Sequence, residues 1–394
     1  MTQMSLLKTA AAAVLGIVLT GAILAGEKAA DADVWILSGQ SNACGRGLPP
    51  GPPANAAVEV FDPKSGKWGT ARDPLPGMET QGVGPWQAAA TEYAAKTGRK
   101  VRLAGWAVGG VPIDYWNVPK KPDDPYNGWV SLSNVVDRAG KDGGVFLWYQ
   151  GEGDCGKDPG KYLGQLKDLT SRVRERCGNP KMTAVVVQLE SVLWGRQPAA
   201  KGDMCGAMTM REAQRQFVLQ DGNALLVTAM GRKLKPKDDC HLSTEGQVEL
   251  GGEIGRALAR HLHKVDTGWP GPVLDVAVLG DDGKTVVAHF AEVKKLAGFA
   301  AADFGIVAVG GKSAEILAVA AKAEALGNTM VKVTFDTPVN LPAALVYGLG
   351  NAPTAGLVDE ADNRAPAVQL EITQGKAPED KETVVPNGAG AMPR

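Results

Sequence analysis

Five short apolar, β-favouring runs punctuate the chain at residues 34–38, 101–107, 145–149, 183–189 and 224–230. They are mostly continuous rather than alternating, which predicts strands buried on both faces of a parallel sheet. Helical spacing fills the gaps. Residues 86–97 place Trp86, Ala89, Ala90 and Tyr93 on one face, and Gly98 supplies a stop. Residues 162–177 and 208–219 are similar. Residues 243–263 set Leu250, Ile254, Leu258 and Leu262 four apart, with Ser243 as N-cap. Strands alternating with helices predict an α/β sandwich on a five-stranded parallel sheet with right-handed crossovers. The Pro- and Gly-rich stretch 48–85 reads as a long surface insertion.

The pattern changes near Trp269-Pro270-Gly271-Pro272. Short β-like runs with turn signals follow at 273–279, 285–290, 305–309, 315–320, 330–335 and 344–347, predicting a small antiparallel β domain. From Gln374 the sequence is polar with Pro and Gly and reads as a flexible tail. The organisation expected is a leader or anchor over 1–32, an α/β domain over 33–268, a β-rich domain over 269–373 and a tail over 374–394.

The leader expectation rests on Lys8 followed by an uncharged, mostly apolar run over 9–25 and small residues before Glu27. This resembles a secretory signal peptide, with cleavage after Ala25 or after Ala30-Asp31-Ala32. A membrane anchor is the alternative, though seventeen residues, several of them Ala or Gly, is short for a span. A secreted or periplasmic location follows. There, some of Cys44, Cys155, Cys177, Cys205 and Cys240 are expected to pair, and the odd count leaves at least one unpaired within the chain.

Composition removes some classes. The chain has 394 residues, with 42 Lys+Arg against 43 Asp+Glu. That balance argues against a nucleic-acid partner held by a basic face and against a polybasic membrane surface. All nine tryptophans fall between Trp35 and Trp269, which marks the same boundary as the pattern change.

In an open parallel sheet, ligands sit beyond the carboxyl ends of the strands. The first run is followed by Gly39-Gln40-Ser41-Asn42 and the second by Gly109-Gly110. The third is followed by Gln150-Gly151-Glu152-Gly153-Asp154, the fourth by Glu190 and the fifth by Asp238-Asp239-Cys240-His241. Every polar or glycine-rich cluster therefore falls at one sheet edge. A serine hydroxyl becomes a nucleophile when a histidine takes its proton, and a carboxylate holds that histidine's tautomer. Asp238 and His241, three apart, would share one side of a helical turn. Gly109 and Gly110 let backbone N–H groups face an oxyanion, and Gln150 adds a side-chain donor. Each feature has a plainer reading alone: a cap for Ser41, a turn for the glycines, a loop ion-pair cluster for Glu152 and Asp154. His261 and His263 suit the positive charge favoured at a helix C-terminus.

Taken together, Gly39-Gln40-Ser41-Asn42, Gly109 to Trp116, Trp148-Tyr149-Gln150-Gly151-Glu152 with Asp154, Arg211-Glu212-Ala213-Gln214-Arg215, and Asp238 with His241 resemble the sialate O-acetylesterase branch of the SGNH hydrolases. The resemblance covers roughly residues 34–263. It implies a three-layer α/β/α fold and hydrolysis of acetyl esters on sialic acid or xylan. It implies Ser41 as nucleophile, His241 as base and Asp238 as its orienting partner. Oxyanion donors would be the Ser41 and Gly110 amides and Gln150. Gln40, Asn42, Glu152 and Trp116 are the expected substrate contacts, and no metal or organic cofactor is implied. A non-catalytic carbohydrate-binding protein and an esterase on other short acyl esters are the rival readings.

Other motifs fail. A lipase-type elbow needs glycine where Ala43 stands. Gly310-Gly311-Lys312-Ser313 lacks the earlier glycine of a phosphate loop, since Ile306 occupies that position. Trp68, Trp116, Trp129 and Trp194 fall in expected loops and are candidates for stacking on sugar. Trp35, Trp106 and Trp148 lie in strands and suit the core.

Overall fold

The computed structural model describes residues 32–79, 82–121, 124, 126–190, 199–202, 205–268, 270–308, 315–350 and 356–381. Its central sheet contains β1 (Asp33–Gly39), β2 (Val58–Asp62), β3 (Lys67–Thr70), β4 (Val101–Ala107), β5 (Val145–Tyr149), β6 (Thr183–Gln188) and β7 (Ala224–Thr228). The strand order is β3-β2-β4-β1-β5-β6-β7, and all neighbours are parallel except the β2–β3 hairpin. Strands β5, β6 and β7 are buried at every residue, as continuous apolar runs require when both faces are covered.

The sheet thus has seven strands, not the five expected. The two extra strands come from the stretch read as a surface insertion. Val58, Val60 and Phe61 extend the sheet inward, while β3 has little apolar character beyond Trp68 and forms the exposed edge. Short edge strands of this kind lack the buried run that makes a central strand legible.

Helices flank the sheet in two groups. α2 (Trp86–Thr97) packs on α6 (Thr244–His263), and α3 (Gly128–Ala139), α4 (Pro159–Cys177) and α5 (Gly206–Asp221) pack in succession. The α2–α6 approach depends on Gly251 and Gly255. A Cβ at those positions would lie 2.3 Å from the Pro85 carbonyl oxygen and 2.5 Å from that of Ala89. Ser243 caps α6 by accepting from the Gly246 N–H, and Gly98 ends α2 in the left-handed conformation, both as the sequence predicts. Among the described residues no helix is long and apolar enough to cross a membrane.

The later residues form two antiparallel-rich sheets. One has the order β11-β10-β14-β15, from Ile316–Val319, Phe304–Ala308, Ala343–Tyr347 and Val368–Glu371. The other runs β12-β13-β9-β8-β16, from Lys322–Leu326, Met330–Thr334, Thr285–Ala291, Val273–Leu279 and Thr373–Gln374. Phe290 of β9 meets Tyr347 of β14 edge-on at 6.1 Å, so the sheets share an interior. Their core is continuous with that of the α/β part. Gln188 of β6 bonds Ala367 in both directions, at 3.0 and 2.7 Å. The buried Arg211 of α5 donates to the carbonyls of Leu189 and Gly350, at 2.8 Å each, and also to that of Glu190. Polar ties between the two parts are therefore enclosed and hydrogen-bonded, as buried polar groups must be.

Candidate active site

The site begins where β1 ends. Gly39 has φ +141°, and a Cβ there would lie 2.1 Å from the Tyr149 carbonyl oxygen. Only glycine lets β1 press this close to β5 and turn. The Gln40 N–H then donates to Tyr149 O at 2.9 Å, and the chain enters the short helical turn α1 (Ser41–Cys44). Trp86 Nε1 donates to the Ala43 carbonyl at 2.7 Å and fixes that turn from α2. Ser41 is held at the carboxyl edge of the sheet.

The loop between β7 and α6 brings the other two groups. Lys235 N–H donates to His241 O at 2.9 Å, closing the base of the loop beside a Leu234–Leu242 bridge. Asp238 and His241 lie in this loop, not in the helical turn that their spacing suggested. The Asp238 carboxylate replaces the helix: Oδ1 accepts from the Cys240 and His241 N–H groups at 3.1 and 3.0 Å. Its Oδ2 is 2.8 Å from His241 Nδ1, and His241 Nε2 is 3.0 Å from Ser41 Oγ. Partial burial would raise the Asp238 carboxyl, but the two backbone donors and the His241 ring hold it at about 2. It is ionised at neutral pH, so Nδ1 carries the proton toward Asp238 and Nε2 is left to accept from serine.

Four expected substrate or oxyanion contacts are engaged inside the protein instead. Asn42 is buried; its Nδ2 donates to Glu152 Oε1 and to the Cys240 carbonyl, both at 2.9 Å, and its Oδ1 accepts from the Leu242 N–H at 3.1 Å. Gln40 is buried and accepts from the Gly153 N–H at 3.1 Å. Gln150 is fully buried, with Nε2 donating to Val111 O at 3.1 Å and to Asp154 Oδ2 at 2.7 Å, so neither hydrogen faces an oxyanion. Trp116 is fully buried, edge-on to Trp148 at 5.7 Å. These polar side chains are the right types at the right edge, but they hold the loops together from beneath. Glu152 likewise supports Asn42; its enclosed carboxyl is raised by burial, against the lowering effect of the Asn42 amide.

Backbone donors remain for an oxyanion. The Gly109 N–H is taken by Glu79 Oε2 at 2.6 Å. Among the described residues the N–H groups of Gly110 and Ser41 have no such acceptor. A Cβ at position 109 would stand 3.6 Å from that of Ser41, 3.3 Å from Arg46 Nη2 and 3.4 Å from Glu79 Oε2. Arg46 and Glu79 thus flank the serine, and neither was picked out in the sequence. Arg46 follows the serine turn by two residues and was discoverable. Glu79 sits in an irregular loop with no periodicity to mark it.

Among the described residues no disulfide joins the five cysteines, against the expectation that some of them pair. Cys44, Cys177, Cys205 and Cys240 are buried, where a small apolar thiol is at home. Asp238, Cys240 and His241 present ligand-type atoms within 4.8 Å of one another. They suit a metal poorly: burial pushes the Cys240 thiol up to about 12, and Asp238 and His241 are bonded to each other. Of the other tryptophans, Trp68 packs on Phe61 and Trp129 lies under Arg172, while Trp194 falls outside the described residues, as does the Gly310–Ser313 stretch.

A three-residue hydrogen-bonded relay at the carboxyl edge of a largely parallel sheet places the molecule among α/β hydrolytic enzymes. Residues 31–260 match the family described as carbohydrate esterase, sialic acid-specific acetylesterase, and the chain belongs to that family. It is a carboxylic ester hydrolase. A carbohydrate acetylesterase from Xanthomonas citri is similar in structure, with TM-score 0.65 at 20% identity, over 86% of this chain and 80% of that one. A protein from Arabidopsis thaliana shows 26% identity and TM-score 0.47, over 57% of this chain and 96% of that one. No curated protein matches.

Proposed function

We propose that this protein is an exported serine esterase that removes O-acetyl groups from sugars through an acetyl-enzyme. The observation that carries the reading is the Asp238–His241–Ser41 relay at 2.8 and 3.0 Å. Ser41 Oγ attacks the acetyl carbonyl carbon while His241 Nε2 takes its proton. The carbonyl oxygen becomes an oxyanion between the Ser41 and Gly110 N–H groups. His241 returns the proton to the departing sugar oxygen, leaving acetate esterified to Ser41. Water then adds by the same route and releases acetate. Export rests on the Lys8 and 9–25 pattern, and the acetylated sugar class rests on the family.

The test is a release assay for acetate on p-nitrophenyl acetate, acetylated xylan and O-acetyl sialic acid, paired with fluorophosphonate labelling. Acetate release from at least one of the two sugar substrates, with label on Ser41, is expected. Turnover of p-nitrophenyl acetate alone, or label on another residue, would overturn it.

A further inference from the structure

A groove of about 680 Å³ opens beside the site, and nothing in the relay uses it. Glu79 and Val108 both line it and both neighbour Gly109: Val108 in the chain, and Glu79 through its 2.6 Å bond to the Gly109 N–H. Its walls include Trp106, Tyr115 and Tyr126, and its lining also holds Lys64 and, from the end of β2, Asp62. The volume falls within the range of small-molecule sites, roughly 300–1,000 Å³.

Two of the aromatic rings have telling settings. Tyr115 is seated rather than loose. It stands edge-on to Trp116 at 5.5 Å, and a Cβ on Gly128 would lie 2.5 Å from its ring, so glycine there makes the seat. Tyr126 is 82% exposed, an unusual setting for a large ring. One seated and one exposed aromatic face, with carboxylates in the same lining, match one ligand chemistry well. A pyranose offers apolar C–H faces to the rings and hydroxyl donors to Asp62 and Glu79, which when ionised only accept. The two carboxylates outnumber Lys64 in this lining and so disfavour an acidic sugar in the same place.

We infer that this groove is a subsite for a neutral sugar next to the acetylated one, so that the substrate is an oligosaccharide rather than a free monosaccharide. This rests on the esterase reading for the orientation of the chain, but the groove binds sugar whether or not ester is cleaved. The substrate lies with its acetylated residue over Ser41 and Gly109, and the next residue passes Glu79 to rest between Tyr115 and Tyr126.

The experiment uses the full chain carrying Ser41→Ala, titrated with unacetylated xylotetraose, cellotetraose, mannotetraose and chitotetraose, and with the matching monosaccharides. Binding is read by tryptophan fluorescence and by saturation-transfer NMR. At least one tetraose is expected to bind more tightly than its monosaccharide, and Tyr126→Ala in the same background weakens it about tenfold, the loss of one aromatic face. Tyr115→Ala gives the same direction if it folds; Tyr126, being exposed, carries the test regardless. Absence of binding by all four tetraoses, or affinity indifferent to Tyr126→Ala, overturns the inference. Failure of the esterase reading shows separately, as wild-type protein inert toward every acetyl ester.

Discussion

Asn42 donates its side-chain amide to the Cys240 carbonyl across 2.9 Å, joining the residue after the serine to the residue before the histidine. A second amide hydrogen goes to Glu152, and the amide oxygen accepts from Leu242. Three loops from three strands therefore meet at one buried side chain. The 3.0 Å distance between Ser41 and His241 is set by this junction as much as by either residue alone.

Asn42→Ala should therefore act through geometry. It removes from a buried point the bonds to Glu152, Cys240, Leu242 and Gln247 and lets the 238–242 loop drift. We expect kcat to fall about a hundredfold, with KM changed far less, as for a misplacement of about 1 Å. Steady-state kinetics on p-nitrophenyl acetate separate the two. An unchanged kcat, or a loss confined to KM, would return Asn42 to the role of substrate contact.

Asp238→Asn tests the relay's second link. The Asn oxygen can keep the bonds to the Cys240 and His241 N–H groups, so the loop should hold its shape. Its amide would donate to Nδ1, forcing the proton onto Nε2, the nitrogen that must accept from serine. A fall in kcat of about 10³–10⁴-fold with unchanged thermal stability is expected. A loss below tenfold would mean that the tautomer is set by something other than Asp238.

Asp73 gives a pH dependence of stability. Burial pushes its carboxyl up to about 7, against a weak bond from the Gly84 N–H at 3.4 Å, and among the described residues Oδ2 is enclosed without a partner. In the unfolded chain it ionises near 4. Between those values the folded state keeps a proton that the unfolded state has lost. Stability from this group is therefore complete below about pH 4, falls as pH rises to about 7, and levels off above it. Asp73→Asn should raise unfolding free energy by about 1–3 kcal/mol at pH 8 relative to its effect at pH 4. Urea denaturation at the two pH values measures this, and a difference independent of pH would contradict the assignment.

The legible parts of this molecule were those where one physical demand dominates. Strands β5, β6 and β7 are buried on both faces, so their middles take only apolar residues, with Thr183, Gln188 and Thr228 at strand ends, and they appear in the sequence as nearly continuous apolar runs. The relay was legible because its chemistry needs particular residue types at one sheet edge. Roles within that edge were not, because the sequence shows which side chains are polar but not which way they face. Gln40, Asn42 and Gln150 look like ligand contacts and serve as braces. Trp116 and Tyr115 are neighbours, and a single step along the chain decides which enters the core and which lines the groove. Strand β12, with the sequence Lys-Ala-Glu-Ala-Leu and largely exposed, has no apolar signal; it exists because β13 offers it a partner.

The central claim is that Ser41 forms the bond to the acetyl group. Its most direct measurement is kcat/KM of Ser41→Ala on p-nitrophenyl acetate, with folding checked by circular dichroism. The account predicts a loss of about 10⁴–10⁶-fold in a protein folded like the wild type, because the relay acts as a unit. A folded Ser41→Ala protein that hydrolyses the ester within tenfold of the wild-type rate would contradict it.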